Sequence, residues 1–207
     1  MALSRKRILR AAFLHADKQG VEAVSMRAIA GALGVEAMSL YHHVPNKSAI
    51  LDGLADLIVQ AAELPTGEVT AQEWVRGAAR GMRSLAHDHP RLIPVLVTRA
   101  LPLADPAAAA PFEAGLLAFQ RSGYPLSEAY AAVQSVTLAL LALAQLEATS
   151  VLQQDLDTDV SQLENLPEEQ FPLLREVTTL PAGLDEFWDT LVEALVIGLR
   201  KPPLRKA

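Results

Sequence analysis

An all-α architecture follows from two features of the 207-residue sequence. Apolar residues recur at three- and four-residue spacing along most of the chain, and no stretch of alternating β-branched residues or internal repeat competes with that pattern. Ser4 caps a first helix carrying Ile8, Leu9, Ala12, Phe13 and Ala16 on one side, and Gly20 suits its stop. Ser25 caps a second helix over residues 26–33, which Gly34 closes, and a short third helix runs from 36 to 42 or 43. Pro45 and Asn46 break the pattern. A fourth helix over 47–63 keeps Ile50, Leu51, Leu54, Leu57 and Ile58 together until Pro65 and Gly67 end it. Further helices are expected over 70–87, 91–97, 106–122, 126–152 and 184–200. Between the last two, residues 153–183 are rich in acids and carry Pro167, Pro172 and Pro181. That stretch holds at most one short helix, around 168–177, and a connection of this length is expected to be mobile without a ligand.

Charge divides the chain in two. Residues 1–48 hold seven Lys or Arg against three acids, whereas the whole chain carries 18 basic and 24 acidic residues for a net charge of −6. Exposed charges are screened beyond about 8–10 Å at physiological salt, so an acidic body need not repel a polyanion docked on a separate basic end. Chance asymmetry in a soluble protein is the plain alternative. The absence of cysteine removes disulfide frameworks and thiolate zinc sites, and residues 1–10 lack a secretory apolar stretch, so a cytoplasmic protein is expected. The longest apolar run, 130–146, is interrupted by Gln134, Ser135, Thr137 and Gln145. It is expected to be a buried helix with no membrane role.

Residues 25–43 have the internal logic of a helix-turn-helix, in which two short helices meet sharply so that the second enters a DNA major groove. Ile29, Leu33, Val35 and Leu40 supply an apolar seam, Ala30 is small enough for close approach, and Gly34 permits a positive φ. Glu36, Ala37, Met38, Ser39, Tyr41, His42 and His43 are then left outward. Two packed helices without a nucleic-acid role would show much of the same pattern.

The segment VSMRAIAGALGVEAMSLYHHVPNKSAILDGLA resembles the DNA-binding stretch of the tetracycline-repressor (TetR) family, through the Arg27, Ala30, Gly34, Val35 frame and the LYHHVPNK segment. FEAGLLAFQRSGYPLSEAYAAVQSV, from residue 112, more weakly resembles the ligand-binding and dimerising domain of the tetracycline-repressor subclass, and 64–111 match poorly. The resemblance implies a three-helix DNA-binding domain over 1–46 and a ligand-binding and dimerisation bundle over 47–207, with 47–63 as the linking helix. Arg27, Glu36, Ala37, Met38 and Ser39 fall at the family's base-reading and nearby phosphate positions, and Tyr41, His43 and Lys47 at its backbone-contacting positions. Arg forks onto guanine, and Tyr, His and Lys donate to phosphate. Ala37 and Met38 offer only apolar contact, which sets this operator apart from a shared one.

The resemblance further implies a homodimer through 126–152 and 184–200, the latter presenting Phe187, Trp188, Leu191, Leu195, Val196 and Leu199; packing within a monomer is the alternative. The subclass holds a drug–magnesium chelate, but alignment puts Val95 at its metal-binding histidine, Gly115 at a polar contact, and Ala62 or Glu63 at another. No metal and no cofactor is therefore expected. The expected effector is mainly apolar and releases operator DNA on binding, in a pocket lined by Met82, Leu96, Leu116 and Val133, each of which also suits a core. His87 and His89, ahead of Pro90, suit a helix end better than a metal site. Glu147, after an apolar run, suits a solvated helix end, with contact to a partner subunit's ligand as the other option. No catalytic motif appears, so an enzyme is not expected. A helical module that has lost specific DNA binding remains a competing function.

Overall fold

The computed structural model describes residues 2–99, 104–153, 163, 165–177 and 183–198, and no strand occurs among them. In chain order the helices are α1 (Arg5–Gln19), α2 (Met26–Leu33), α3 (Ala37–Tyr41), α4 (Lys47–Ala61), α5 (Ala71–Asp88), α6 (Ile93–Thr98), α7 (Pro106–Arg121), α8 (Leu126–Gln153), α9 (Pro172–Val177) and α10 (Leu184–Gly198). Short 3-10 turns at Val21–Ala23 and Pro90–Leu92 lead into α2 and α6.

Local chemistry explains most of the boundaries. Ser4, Ser25 and Asn46 accept from the backbone N–H groups of Arg7, Ala28 and Ala49 at 3.3, 3.1 and 2.9 Å, each such cap being worth about 1 kcal/mol. At α5 the Thr70 hydroxyl accepts from the Glu73 N–H at 3.2 Å while the Thr70 N–H donates to Glu73 Oε2 at 2.8 Å, closing a capping box. The Thr70 donors hold the Glu73 carboxyl below its ordinary range. Helix α9 begins only at Pro172, since residues 167–171 fold into a turn in which the N–H groups of Gln170 and Phe171 donate to the Pro167 carbonyl. Within 153–183, where mobility is expected, residues 154–162, 164 and 178–182 lie outside the described residues, as do Leu199 and Arg200.

Two packed regions meet at α4. Ile8, Ala12, Ile29, Leu40, Val44 and Leu54 fill the space among α1 to α4, while Trp74, Leu85, Ile93, Phe119, Val136 and Leu140 fill the bundle beyond. A second seam joins them where α1 packs on the 3-10 turn at Pro90–Leu92. There His89, whose backbone N–H caps α5 by donating to the Leu85 carbonyl at 2.8 Å, holds Asp17 of α1 at 3.0 Å and meets the Phe13 ring edge-on.

Helix α8 packs on α5, α7 and α6, with Ala129, Val133, Val136, Leu140 and Ala144 buried and Leu126, Tyr130, Leu138 and Leu146 exposed. By length and composition alone it would also cross a bilayer. Two sequence expectations need correction. On α10, Trp188 and Val196 turn into the chain's own core, leaving Phe187 and Ile197 exposed and Leu191 and Leu195 half-buried; the residues expected to form one presented set lie on two faces. Glu147 is no solvated helix end. It is buried, accepts from Trp188 Nε1 at 2.9 Å and faces Arg83 Nε at 3.6 Å, so α8 holds α5 and α10 through one carboxylate.

Candidate nucleic-acid interface and effector region

The turn between α2 and α3 is made by backbone bonds. Gly34 takes φ 67° and ψ 36°, the left-handed conformation that only glycine adopts cheaply, and its N–H returns to the end of α2. The Val35 N–H reaches the Ala30 carbonyl at 3.1 Å, which turns the chain sharply toward α3. Helix α3 is shorter than expected because Glu36 is its extended N-cap and His42 its C-cap. Leu40 is fully buried against Ile29 and Val44 in the same core, and that anchoring fixes which side of α3 faces outward.

Met38 is 72% exposed and Tyr41 47%, and Arg27, Glu36, His42 and His43 are exposed as well. Ala37, Ser39 and Lys47 are half-buried, with Ala37 packed against the core. The expected DNA-facing residues thus fall on α3, its N-cap Glu36, the two residues after it, the first turn of α2 and the first residue of α4. Arg5, Lys6 and Arg10 on α1 add exposed positive charge to the same region of the chain.

The bundle side differs more from expectation. Val95 and Ala62 are buried and Glu63, which follows the cap of α4 with φ 50°, is exposed. A Cβ at Gly115 would come within 2.6 Å of the Trp74 ring, so the indole occupies the space a side chain at this position would need. Trp74 is locked there by its Nε1–H, which donates to the Pro111 carbonyl at 2.8 Å, and by edge-on contact with Phe119. Met82, Leu96 and Val133 are buried in the core, and Leu116 is half-buried against it. None of these four lines the groove between α5 and α10 or the cavity between the end of α4 and α5. Among the described residues no cluster of three His, Cys, Asp or Glu is placed to hold a metal.

Sequence reasoning also missed the ties on α4. Arg99 donates to Ser48 Oγ and Asp52 Oδ1, both at 3.0 Å, and Asp56 on the next turn is buried with Oδ1 unpaired. Burial and the neighbouring Asp105 push the Asp56 carboxyl above its ordinary range, with Asp52 acting in the same direction, while the Asp105 N–H and Arg5 pull it down. The one available signal was an acid placed one turn from Asp52 on a helix otherwise dominated by Leu and Ile.

Comparison with known proteins agrees with this geometry from both ends of the chain. The family described as bacterial regulatory proteins, tetR family, matches residues 8–54, covering α1 to α3 and the first half of α4. The TetR family protein ActR of Streptomyces coelicolor, in complex with (S)-DNPA, superposes with a TM-score of 0.81 over 97% of this chain and 98% of its own, at 26% identity. The chain belongs to the TetR family. Among curated relatives, the HTH-type transcriptional repressor DrrR1 of Streptomyces coeruleorubidus is 35% identical over 108 residues, 51% of this chain and 39% of DrrR1. The class D tetracycline repressor protein of Escherichia coli is 33% identical over 84 residues, 39% of this chain and 38% of that protein. The chain thus spans about two fifths of the length of these two curated relatives.

Proposed function

We propose that this chain is a ligand-responsive transcriptional repressor that binds a palindromic operator as a homodimer and releases it when a mainly apolar small molecule binds. The observation that carries the reading is the outward side of α3, bearing exposed Met38 and Tyr41 beside Arg27 at the start of α2. Residues 1–46 act as the reader and 47–207 as the effector-binding and dimerising body, joined by α4. Arg27, Glu36, Ala37, Met38 and Ser39 face the bases and nearby phosphates, and Tyr41, His43 and Lys47 the backbone. The exposed apolar residues of α8 and α10, among them Leu138, Leu146, Phe187 and Ile197, pair with their copies in the second subunit. The loss of polar positions at Val95 and Gly115, with Trp74 packed over the latter, supports an effector held without metal, near Met82, Leu96, Leu116 and Val133. Repression by DrrR1 and the ligand complex of ActR support the same assignment.

The test is selection of a bound duplex from random DNA with the full chain, followed by titration against salt. A dimer neutralising about eight phosphates loses roughly 10⁴-fold in affinity between about 50 and 200 mM salt. Lys47→Ala weakens all sequences alike and lowers the slope, whereas Arg27→Ala relaxes preference at one base step. Affinity that ignores both sequence and salt overturns the reading. The apolar Ala37 and Met38 favour one alternative, a helical ligand-binding or interaction module, and salt-dependent binding without sequence preference would select it. Once an inducer is found, its binding persists in chelator; loss in chelator with recovery in magnesium refutes the metal-free pocket.

A further inference from the structure

A groove of about 420 Å³ lies between α5 and α10, lined by Arg76, Ala79, Arg80, Arg83, Trp188, Asp189, Val192 and Glu193. Its guanidiniums come from one helix at spacings of four and three residues, which puts them on one face of α5. Two are already engaged. Arg76 pairs with Glu193, and Arg83 pairs with Asp185 and Glu147 while lying 5.9 Å from the centre of the Trp188 ring. Arg80, between them and exposed, forms no ion pair or hydrogen bond with any described residue. It also borders both adjoining cavities, the one against the end of α4 and the one reaching Glu147.

We propose that this groove binds a small aromatic monoanion, with its carboxylate on the Arg80 guanidinium and its ring against Ala79, Val192 and Trp188. Arg76 is taken by Glu193 and Arg83 by Asp185 and Glu147, which leaves Arg80 as the lining guanidinium without a carboxylate among the described residues. A planar fork suits a carboxylate, and the desolvated ring gains from the apolar wall. Asp189 and Glu193 on the opposite wall repel a second negative charge, which excludes multiply charged phosphates. Trp188 is a fixed surface because its Nε1–H is already committed to Glu147. This site is separate from the effector region assigned above and does not depend on DNA binding.

The experiment is calorimetric titration of the full chain, without DNA, with 1-naphthoate, its neutral carboxamide and inorganic phosphate. Naphthoate binds with a dissociation constant below about 1 mM, while the carboxamide and phosphate bind at least tenfold more weakly, a difference of about 1.4 kcal/mol. Arg80→Gln loses at least tenfold and Arg80→Lys keeps part of the affinity; because Arg80 is exposed and pairs with no described residue, unchanged thermal unfolding of both variants accompanies these results. Val192→Phe, which narrows the groove, weakens naphthoate independently of charge. Absence of naphthoate binding, equal affinity for the carboxamide, or unchanged affinity in Arg80→Gln overturns the site.

Discussion

Two carboxylates are buried among the described residues, Asp56 on α4 and Glu147 on α8, and the two regions treat them in opposite ways. Glu147 meets a guanidinium and an indole N–H from two other helices, so the charge is compensated and the contacts tie α5, α8 and α10 together. Asp56 has two acids nearby, only partial help from Arg5 and the Asp105 N–H, and one oxygen without a partner. A compensated buried charge holds elements in place because removing any member exposes the others to their full desolvation cost. An under-compensated one stores a cost that a shift of its helix can relieve. The tied carboxylate sits in the bundle, where α8 and α10 carry the proposed dimer face, and the untied one sits on α4, the helix that joins the proposed reader to the body.

The largest expected effect comes from cutting the tie. Glu147→Ala leaves the buried Trp188 N–H without an acceptor and Arg83 with Asp185 alone, and destabilises the chain by roughly 3 kcal/mol in denaturant unfolding. Glu147→Gln keeps an acceptor for Trp188 and costs less. A loss below about 1 kcal/mol for the alanine variant would show that the junction is ordinary packing.

Placing a new carboxylate where no partner exists sharpens the contrast from the other side. Leu195 is half-buried on α10 beside the proposed subunit face. Leu195→Glu is expected to weaken dimerisation about a hundredfold, or roughly 2.7 kcal/mol, with smaller change in the folding of each subunit. Sedimentation reads the outcome, and a variant as dimeric as the parent removes this residue from the interface.

How legible these regions were depends on how local their determinants are. The ends of α1 and α2 and the break before α4 follow from Ser4, Ser25, Gly34 and Asn46, which act within a few residues, and the helix-turn-helix was accordingly readable. On α8 and α10 apolar residues occupy most sides, so spacing alone did not separate Trp188, which points into the core, from its neighbour Phe187, which points out. The partners of Glu147 lie far along the chain on two other helices, and no local pattern announces them. Trp74 is similar: its place over Gly115 depends on how α5 crosses α7, and only the packed structure shows that the indole fills the space beside that glycine.

The smallest effect, and the one most informative about α4, concerns Asp56→Asn. Because the folded carboxyl titrates above its ordinary value near 3.8, the folded state binds its proton more tightly than the unfolded chain. Stability from this group is therefore greatest below the unfolded value and falls as pH rises toward the folded one, after which the cost is constant. Asparagine keeps the size and removes the charge. The variant should accordingly be more stable than the parent at neutral pH by about 1 kcal/mol, the scale of one unsatisfied buried group. The difference should shrink as pH falls into the ordinary carboxylate range, since the parent then carries a neutral acid at the same position. If the charge also helps α4 to shift, the stiffer variant needs more effector to release DNA although its operator affinity in the absence of effector is no lower. Unfolding curves between pH 4 and 8, paired with effector titrations of the operator complex, separate the two consequences. A pH-independent difference would mean that Asp56 acts through shape, and an unchanged effector requirement would leave its cost a matter of stability alone.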